Sequence, residues 1–72
     1  MQMDYSKLIG RIIEKFGSRG AFADAIGMTM DALLRRLNKG TSFRPDEYIK
    51  ACELLDINPN EMHLYFFTPK LR

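Results

Sequence analysis

Apolar residues recur at steps of three and four along most of the chain, the spacing of helices that bury one side. Five such series lie within residues 5–16, 22–26, 30–37, 48–55 and 62–65. The alternating pattern of a half-buried strand is not apparent, and only the apolar C-terminal tail, residues 65–72, leaves room for a strand. The pattern therefore predicts an all-α fold of five short helices.

Cap and turn residues define the bounds of the second and third predicted helices. Ser18 is a good N-cap for a helix over about 18–26, and Thr29 is one for a helix over about 29–38. Gly27 lies between them, where positive φ carries little cost for glycine. Two helices joined by such a short glycine turn cross steeply, which is the helix-turn-helix arrangement. The second of them, the predicted recognition helix, would then be free to enter the DNA major groove.

Helical spacing sorts the residues of the third helix into two sides. Met30, Leu33 and Leu37 are expected to face inward, with Leu34 at the boundary. Arg35 would face outward, where its guanidinium group could donate two hydrogen bonds to guanine O6 and N7. We therefore expect Arg35 to be the main base-reading side chain.

The charges are divided between two neighbouring segments, although the net charge of the 72 residues is only +2. Residues 29–44 hold four basic side chains and one acidic one, giving 4 − 1 = +3. Residues 46–61 hold one basic and five acidic side chains, giving 1 − 5 = −4. A local basic cluster suits phosphate contact. An ordinary solvated charged surface is the alternative interpretation.

A DNA interface is predicted from these features. Arg36, Lys39, Thr41 and Arg44 are assigned to phosphates, and Ser18 with Arg19 to a phosphate at the start of helix two. Asp31 repels phosphates unless it accepts from a cytosine amino group, and Met30 and Leu34 offer only apolar contact. Ser42 is a further expected phosphate contact, and the residues predicted most directly for DNA binding are Ser18, Arg19, Thr29, Met30, Asp31, Leu34, Arg35, Asn38, Lys39, Thr41 and Arg44.

Catalytic and metal chemistry find little support in the chain. Residues 1–72 are expected to form a single domain, too small for a deep substrate cavity beside its own core. Cys52 is the only cysteine and His63 the only histidine, so neither a disulfide nor a metal-ligand pattern arises. We expect a non-enzyme without metal or cofactor. The single cysteine fits a reducing cytoplasm, and neither a transmembrane segment nor a signal peptide is recognisable.

Several stretches give the chain a family resemblance: FA at 22–23, IGM at 26–28, Leu33 with Arg35, and LNKG at 37–40. These resemble the Cro/repressor helix-turn-helix family. DYSKL at 4–8, GRIIEKFG at 10–17, LLDINPNE at 54–61 and YFFT at 65–68 are similar to short prophage Cro-like proteins of Gram-positive bacteria. The resemblance covers essentially the whole chain. It implies a five-helix, lambda-repressor-like DNA-binding domain that acts in a lysis–lysogeny switch.

Two functions follow from that resemblance. As a Cro-like repressor, the protein would bind a double-stranded, pseudo-palindromic operator as a homodimer. The predicted dimer or partner interface is the apolar tail with Tyr65, Phe66, Phe67 and Leu71, unless Phe66 and Phe67 fold over the domain's own core.

The alternative is an antirepressor. The family also includes modulator-of-repression proteins, which are similar to this chain in size and in the YFFT ending and which bind the phage repressor. Family members usually carry small polar residues where Met30 and Asp31 stand, and a polar residue such as glutamine where Arg19 stands. The departures at Met30 and Asp31, together with the apolar Leu34 and the modest net charge, favour the antirepressor interpretation.

Overall fold

The computed structural model describes residues 3–38 and 43–69. In these two ranges the elements are α1 (Ser6–Phe16), α2 (Arg19–Ile26), α3 (Met30–Asn38), α4 (Pro45–Leu55), a 3₁₀ turn (Pro59–Glu61) and α5 (Met62–Phe66). No strand is found there, and an isolated backbone bridge joins Met3 to Pro69. The prediction of an all-α fold with five helices is confirmed.

Two glycines separate the first three helices. Gly17 ends α1 and Gly27 ends α2, each with a left-handed backbone, at φ of 83° and 81°. A side-chain Cβ would strain this conformation, which is why glycine suits both places. The Ser18 hydroxyl oxygen then accepts from the Ala21 N–H at 3.1 Å, and the Thr29 hydroxyl oxygen accepts from the Ala32 N–H at 3.1 Å. Each turn is therefore followed by a capped helix start.

The core is formed by all five helices. Each helix contributes at least one fully buried large side chain, and these are Leu8, Ile12, Phe22, Leu33, Leu55 and Phe66. Burial of large apolar side chains is the dominant stabilising contribution in a domain of this size. Since α3 buries Leu33 and Leu37 but leaves Asp31 and Arg35 exposed, one side of α3 is anchored and the other is available.

The two ends of the described chain meet beside α5. The Asp4 N–H donates to the Thr68 carbonyl oxygen at 2.7 Å, next to the bridge between Met3 and Pro69. Phe66 packs edge-on against Phe43 and Tyr48, with ring centroids 5.3 and 5.1 Å apart. Such aromatic pairs add to the free energy gained by burial. Residues 67–69, which follow α5, are therefore held against the domain.

One prediction for the core was wrong. Met30 does not face inward; it is 40% exposed. It is the first residue of α3, and the half-buried Met28 packs against the core below that helix start instead. Leu33 and Leu37 are buried and Leu34 is half-buried, as their spacing predicted.

Candidate protein or nucleic-acid interface

The outer side of α3 forms the candidate surface. α3 begins after the Gly27 turn and is a helix separate from α2, so its exposed side chains project from the domain. Thr29, Met30, Asp31, Arg35 and Asn38 are exposed, and Leu34 is half-buried beside them. We call this set the α3 surface. It combines an acidic, a basic, an apolar and two neutral polar exposed side chains.

Arg35 is exposed but paired with a carboxylate. Its Nε lies 3.1 Å from Asp31 Oδ2, one helical turn earlier, with the two side chains 65% and 76% exposed. An i,i+4 pair of this kind stabilises a helix by only about 0.2–0.5 kcal/mol. Its larger effect is on recognition, because Asp31 neutralises much of the positive potential that Arg35 would offer to a phosphate or a guanine.

Arg36 is engaged within the domain. Its Nε donates to Glu47 Oε1 at 2.8 Å and its Nη2 donates to Glu47 Oε2 at 2.9 Å, while its Nη1 donates to the Ala32 carbonyl oxygen at 3.1 Å. Both side chains of the ion pair are only 15% exposed. The prediction that Arg36 contacts phosphates was wrong, because this guanidinium group holds α3 against the start of α4.

The remaining members of the basic cluster are Lys39 and Arg44. Arg44 is exposed, with its Nε 3.6 Å from Asp46 Oδ1. Lys39, Thr41 and Ser42 lie outside the described residues. All three arginines of the cluster thus stand beside a carboxylate. Counting charges along the sequence overestimated the cluster, because folding brings the acidic start of α4 next to it.

The predicted phosphate site at the start of α2 consists of Ser18 and Arg19, both exposed. The Ser18 hydroxyl oxygen already caps α2, and the Thr29 hydroxyl oxygen caps α3 in the same way. Each hydroxyl group still has its O–H to donate. These residues therefore remain accessible, although their first role is to begin helices.

The apolar tail does not form a continuous exposed patch. Phe66 is fully buried, so placing it at a dimer interface was wrong: it fills the domain's own core. Tyr65 is half-buried, with Lys7 Nζ 5.1 Å from its ring centroid. Phe67 is 43% exposed and lies against Tyr48, while Leu71 lies outside the described residues.

Burial governs the ionisation of the groups nearest the core. It raises the pKa of the Cys52 thiol, so this thiol stays protonated at neutral pH. It also raises the pKa of Tyr48, with a smaller contribution from the Glu47 carboxylate, and that of Tyr5. Among the described residues, no group of three or more His, Cys, Asp or Glu side chains could hold a metal ion. No helix in these ranges is long and apolar enough to cross a membrane.

Comparison with known proteins gives the family. Residues 1–69 match the family described as "Protein of unknown function (DUF739)". The chain belongs to this family. It is also similar to the solution structure of the modulator of repression (MOR) of the temperate bacteriophage TP901-1 from Lactococcus lactis. The identity is 38%, the match covers 100% of this chain and 97% of that one, and the TM-score is 0.81. Curated proteins gave no match.

The similarity to MOR narrows the family resemblance that the sequence suggested. Membership of the DUF739 family and similarity to MOR are shown, whereas the wider Cro/repressor family is not among these findings. Because the match to MOR spans the whole of this chain, it includes the α3 surface.

Sequence reasoning missed Glu47 as a residue that determines the site. Its place after Pro45 predicts a favourable interaction with the helix dipole but not a partner on α3. The available signal was its position three residues after Arg44, at the start of α4: the Arg44 backbone N–H donates to Glu47 Oε1 at 2.8 Å. A carboxylate at this position of a helix reaches back to the cap residue. That contact and the ion pair with Arg36 together fix how α3 stands on α4 in this member of the DUF739 family.

Proposed function

We propose that this protein modulates repression in a temperate bacteriophage or prophage by binding the phage repressor protein. The similarity to MOR over the whole chain, at 38% identity, carries this proposal. Identity at that level over the full length of a single small fold makes a shared type of function more plausible than fold likeness alone would. The proposed activity needs no catalysis, metal or cofactor, and it takes place in the bacterial cytoplasm.

We assign repressor binding to the α3 surface. Protein interfaces favour methionine, arginine and aromatic side chains around an apolar centre. The exposed Met30 beside the half-buried Leu34 supplies such a centre, and the Asp31–Arg35 pair borders it. DNA, in contrast, attracts unpaired cations. The three arginines beside carboxylates therefore favour a protein partner over a phosphate backbone.

A binding assay with the repressor of the same phage or prophage tests the proposal. Met30→Ser should weaken repressor binding by about tenfold, which is typical of a residue near the centre of an interface. Ile13→Ser is the matched control, because Ile13 on α1 is an apolar side chain exposed to a similar degree as Met30, 45% against 40%, and should leave this affinity unchanged. Isothermal titration calorimetry gives both constants. No binding by the unaltered protein would refute the function, and a loss with Ile13→Ser but not with Met30→Ser would refute the assigned surface.

The second function is direct operator binding by a Cro-like repressor. The Gly27 turn between α2 and α3, together with the exposed Arg35 and Asn38, favours it. A gel-shift assay on the intergenic DNA at low salt separates the two. A shift by this protein alone supports operator binding. Release of repressor from the DNA, without a shift by this protein alone, supports modulation of repression.

A further inference from the structure

A second surface lies on α4, away from the Asp31–Arg35 pair. A groove of about 360 Å³ runs between α4 and the segment that leads into α5. Its apolar lining comprises Ile49, Cys52, Ile57, Pro59 and Met62, and two acidic residues, Glu53 and Asp56, complete the lining. We call it the α4 groove.

The apolar part of the α4 groove is open at one side. Ile49 is 64% exposed, more than any other large hydrophobic side chain exposed in the described ranges. Cys52 and Ile57 are buried beneath the opening and Met62 is half-buried. An exposed apolar side chain on its own is ordinary, but one that continues into an apolar groove is typical of an interaction site.

The charges around the groove indicate what would enter it. Glu53 is exposed and makes no ion pair with any described residue. Asp56 is exposed as well, with Lys15 Nζ 4.0 Å from its Oδ2, beyond hydrogen-bond distance. Arg11 is also near, since its Nη2 donates to the Asp56 carbonyl oxygen at 3.0 Å, so the negative charge of the groove is that of the Glu53 and Asp56 carboxylates. A phosphate-bearing ligand would be repelled here, whereas a cationic one would be attracted.

We propose that the α4 groove binds a cationic amphipathic helix of a partner protein. Apolar side chains of that helix, spaced at i, i+3, i+4 and i+7, enter beside Ile49 and Met62, as in other helix-in-groove complexes. Lysine or arginine side chains on its flank reach Glu53 and Asp56. This site is separate from the α3 surface and does not depend on the function proposed above.

A synthetic peptide tests the proposal directly. The probe is a fluorescein-labelled helix of about 14 residues with leucine at i, i+3, i+4 and i+7 and lysine on its flanks. Fluorescence anisotropy at physiological ionic strength should give saturable binding. Ile49→Ser and Glu53→Lys should each weaken this binding by about five- to tenfold, the size expected for an anchor residue and a close opposite charge.

Asp24→Lys is the matched control for the charge reversal. Asp24 and Glu53 are both exposed and both lie two residues before the last residue of their helices, α2 and α4. Charge reversal therefore changes the net charge, and the interaction of the side-chain charge with the helix dipole, by the same amount at the two positions. Peptide affinity should stay within about twofold with Asp24→Lys, since Asp24 does not line the groove. Met30→Ser should leave it unchanged.

Several outcomes would overturn the proposal. Absence of saturable binding would do so. An equal loss of peptide affinity with Asp24→Lys and Glu53→Lys would also do so, because it would indicate attraction by the net charge of the whole protein and not by the groove. Equal affinity for a control peptide with serine in place of leucine would rule out apolar anchoring. Peptide-induced NMR shifts should cluster at Ile49, Glu53 and Met62. A dimer of this protein in sedimentation, dissociated by Ile49→Ser, would assign the groove to a second copy instead.

Discussion

Two consecutive arginines of α3 form ion pairs in contrasting environments. Arg35 pairs with Asp31 on the same helix, with the two side chains 65% and 76% exposed. Arg36 pairs with Glu47 of α4, with both side chains 15% exposed. Consecutive residues of a helix point about 100° apart, so one arginine faces solvent and the next faces the neighbouring helix.

The two ion pairs contribute differently to stability and to recognition. An exposed pair contributes about 0–1 kcal/mol, because water and salt screen it. Removing one partner of a buried pair costs about 3–5 kcal/mol, since the other charge is left without compensation. The Arg36–Glu47 pair therefore holds α3 in place, and the Asp31–Arg35 pair determines what α3 presents to a partner.

The largest effect is expected from Glu47→Ala. This change leaves the Arg36 guanidinium group without its two carboxylate contacts and the Arg44 N–H without its acceptor. We expect the free energy of unfolding to fall by about 2–4 kcal/mol, slightly below the value for a fully buried pair because water reaches this one. Urea unfolding followed by circular dichroism measures it.

Asp46→Ala is the control for Glu47→Ala. Asp46 is the adjacent residue in the first turn of α4, but its contact with Arg44 is exposed. The distance from Arg44 Nε to Asp46 Oδ1 is 3.6 Å. Its removal should cost no more than about 1 kcal/mol, including its favourable position near the helix dipole. Equal losses in the free energy of unfolding for the two variants would show that the Arg36–Glu47 pair stabilises the fold no more than an exposed contact does.

A smaller effect is expected from Arg36→Lys. A lysine ammonium group keeps the charge but cannot make the planar two-bond contact with Glu47 while also donating to the Ala32 carbonyl. We expect a loss of about 1–2 kcal/mol, the value of one or two charge-assisted hydrogen bonds. Arg35→Lys is the control, and it should leave the thermal midpoint almost unchanged. An unchanged midpoint with Arg36→Lys would mean that charge alone is sufficient.

The helices could be predicted from the sequence because their signals are local. Apolar spacing gave the all-α fold, and Ser18, Gly27 and Thr29 act as cap and turn residues within a few positions of the backbone groups that they serve. Met30 shows the limit of periodicity. Spacing describes the direction of a side chain around its helix, but not whether a neighbouring element extends far enough to cover it.

The candidate site was predicted less well because its charges pair across the fold. The exposure of Arg35 and Asn38 follows from helix geometry, whereas Arg36 is removed from the surface by a carboxylate eleven residues later. Phe66 and Phe67 are adjacent and chemically identical, yet only Phe66 enters the core, because it is the last residue of α5 and lies four positions after the half-buried Met62, on the same side of that helix. Spacing from Met62 could have indicated the burial of Phe66, whereas the pairing of Arg36 with Glu47 leaves no local signature in the sequence.

The smallest stability effect, and the most direct test of function, is expected from Asp31→Asn. This change keeps the size of the side chain and removes the charge that faces Arg35. The free energy of unfolding should fall by only about 0.5 kcal/mol, from the loss of an exposed pair and of a negative charge in the first turn of α3. Thermal unfolding checks that the fold is intact.

Binding by the Asp31→Asn variant then distinguishes the two uses of the α3 surface. If the surface binds a repressor, loss of the Asp31 charge should weaken that complex by about tenfold or less, as for a charge at the rim of an interface. If it binds DNA, the same change should strengthen the complex, because a negative charge near the phosphates is removed and Arg35 is released. The two functions therefore predict opposite signs for one substitution. Titration of the variant against repressor and against operator DNA measures both signs, and tighter operator binding by an otherwise stable variant would overturn the assignment of this surface to a protein partner.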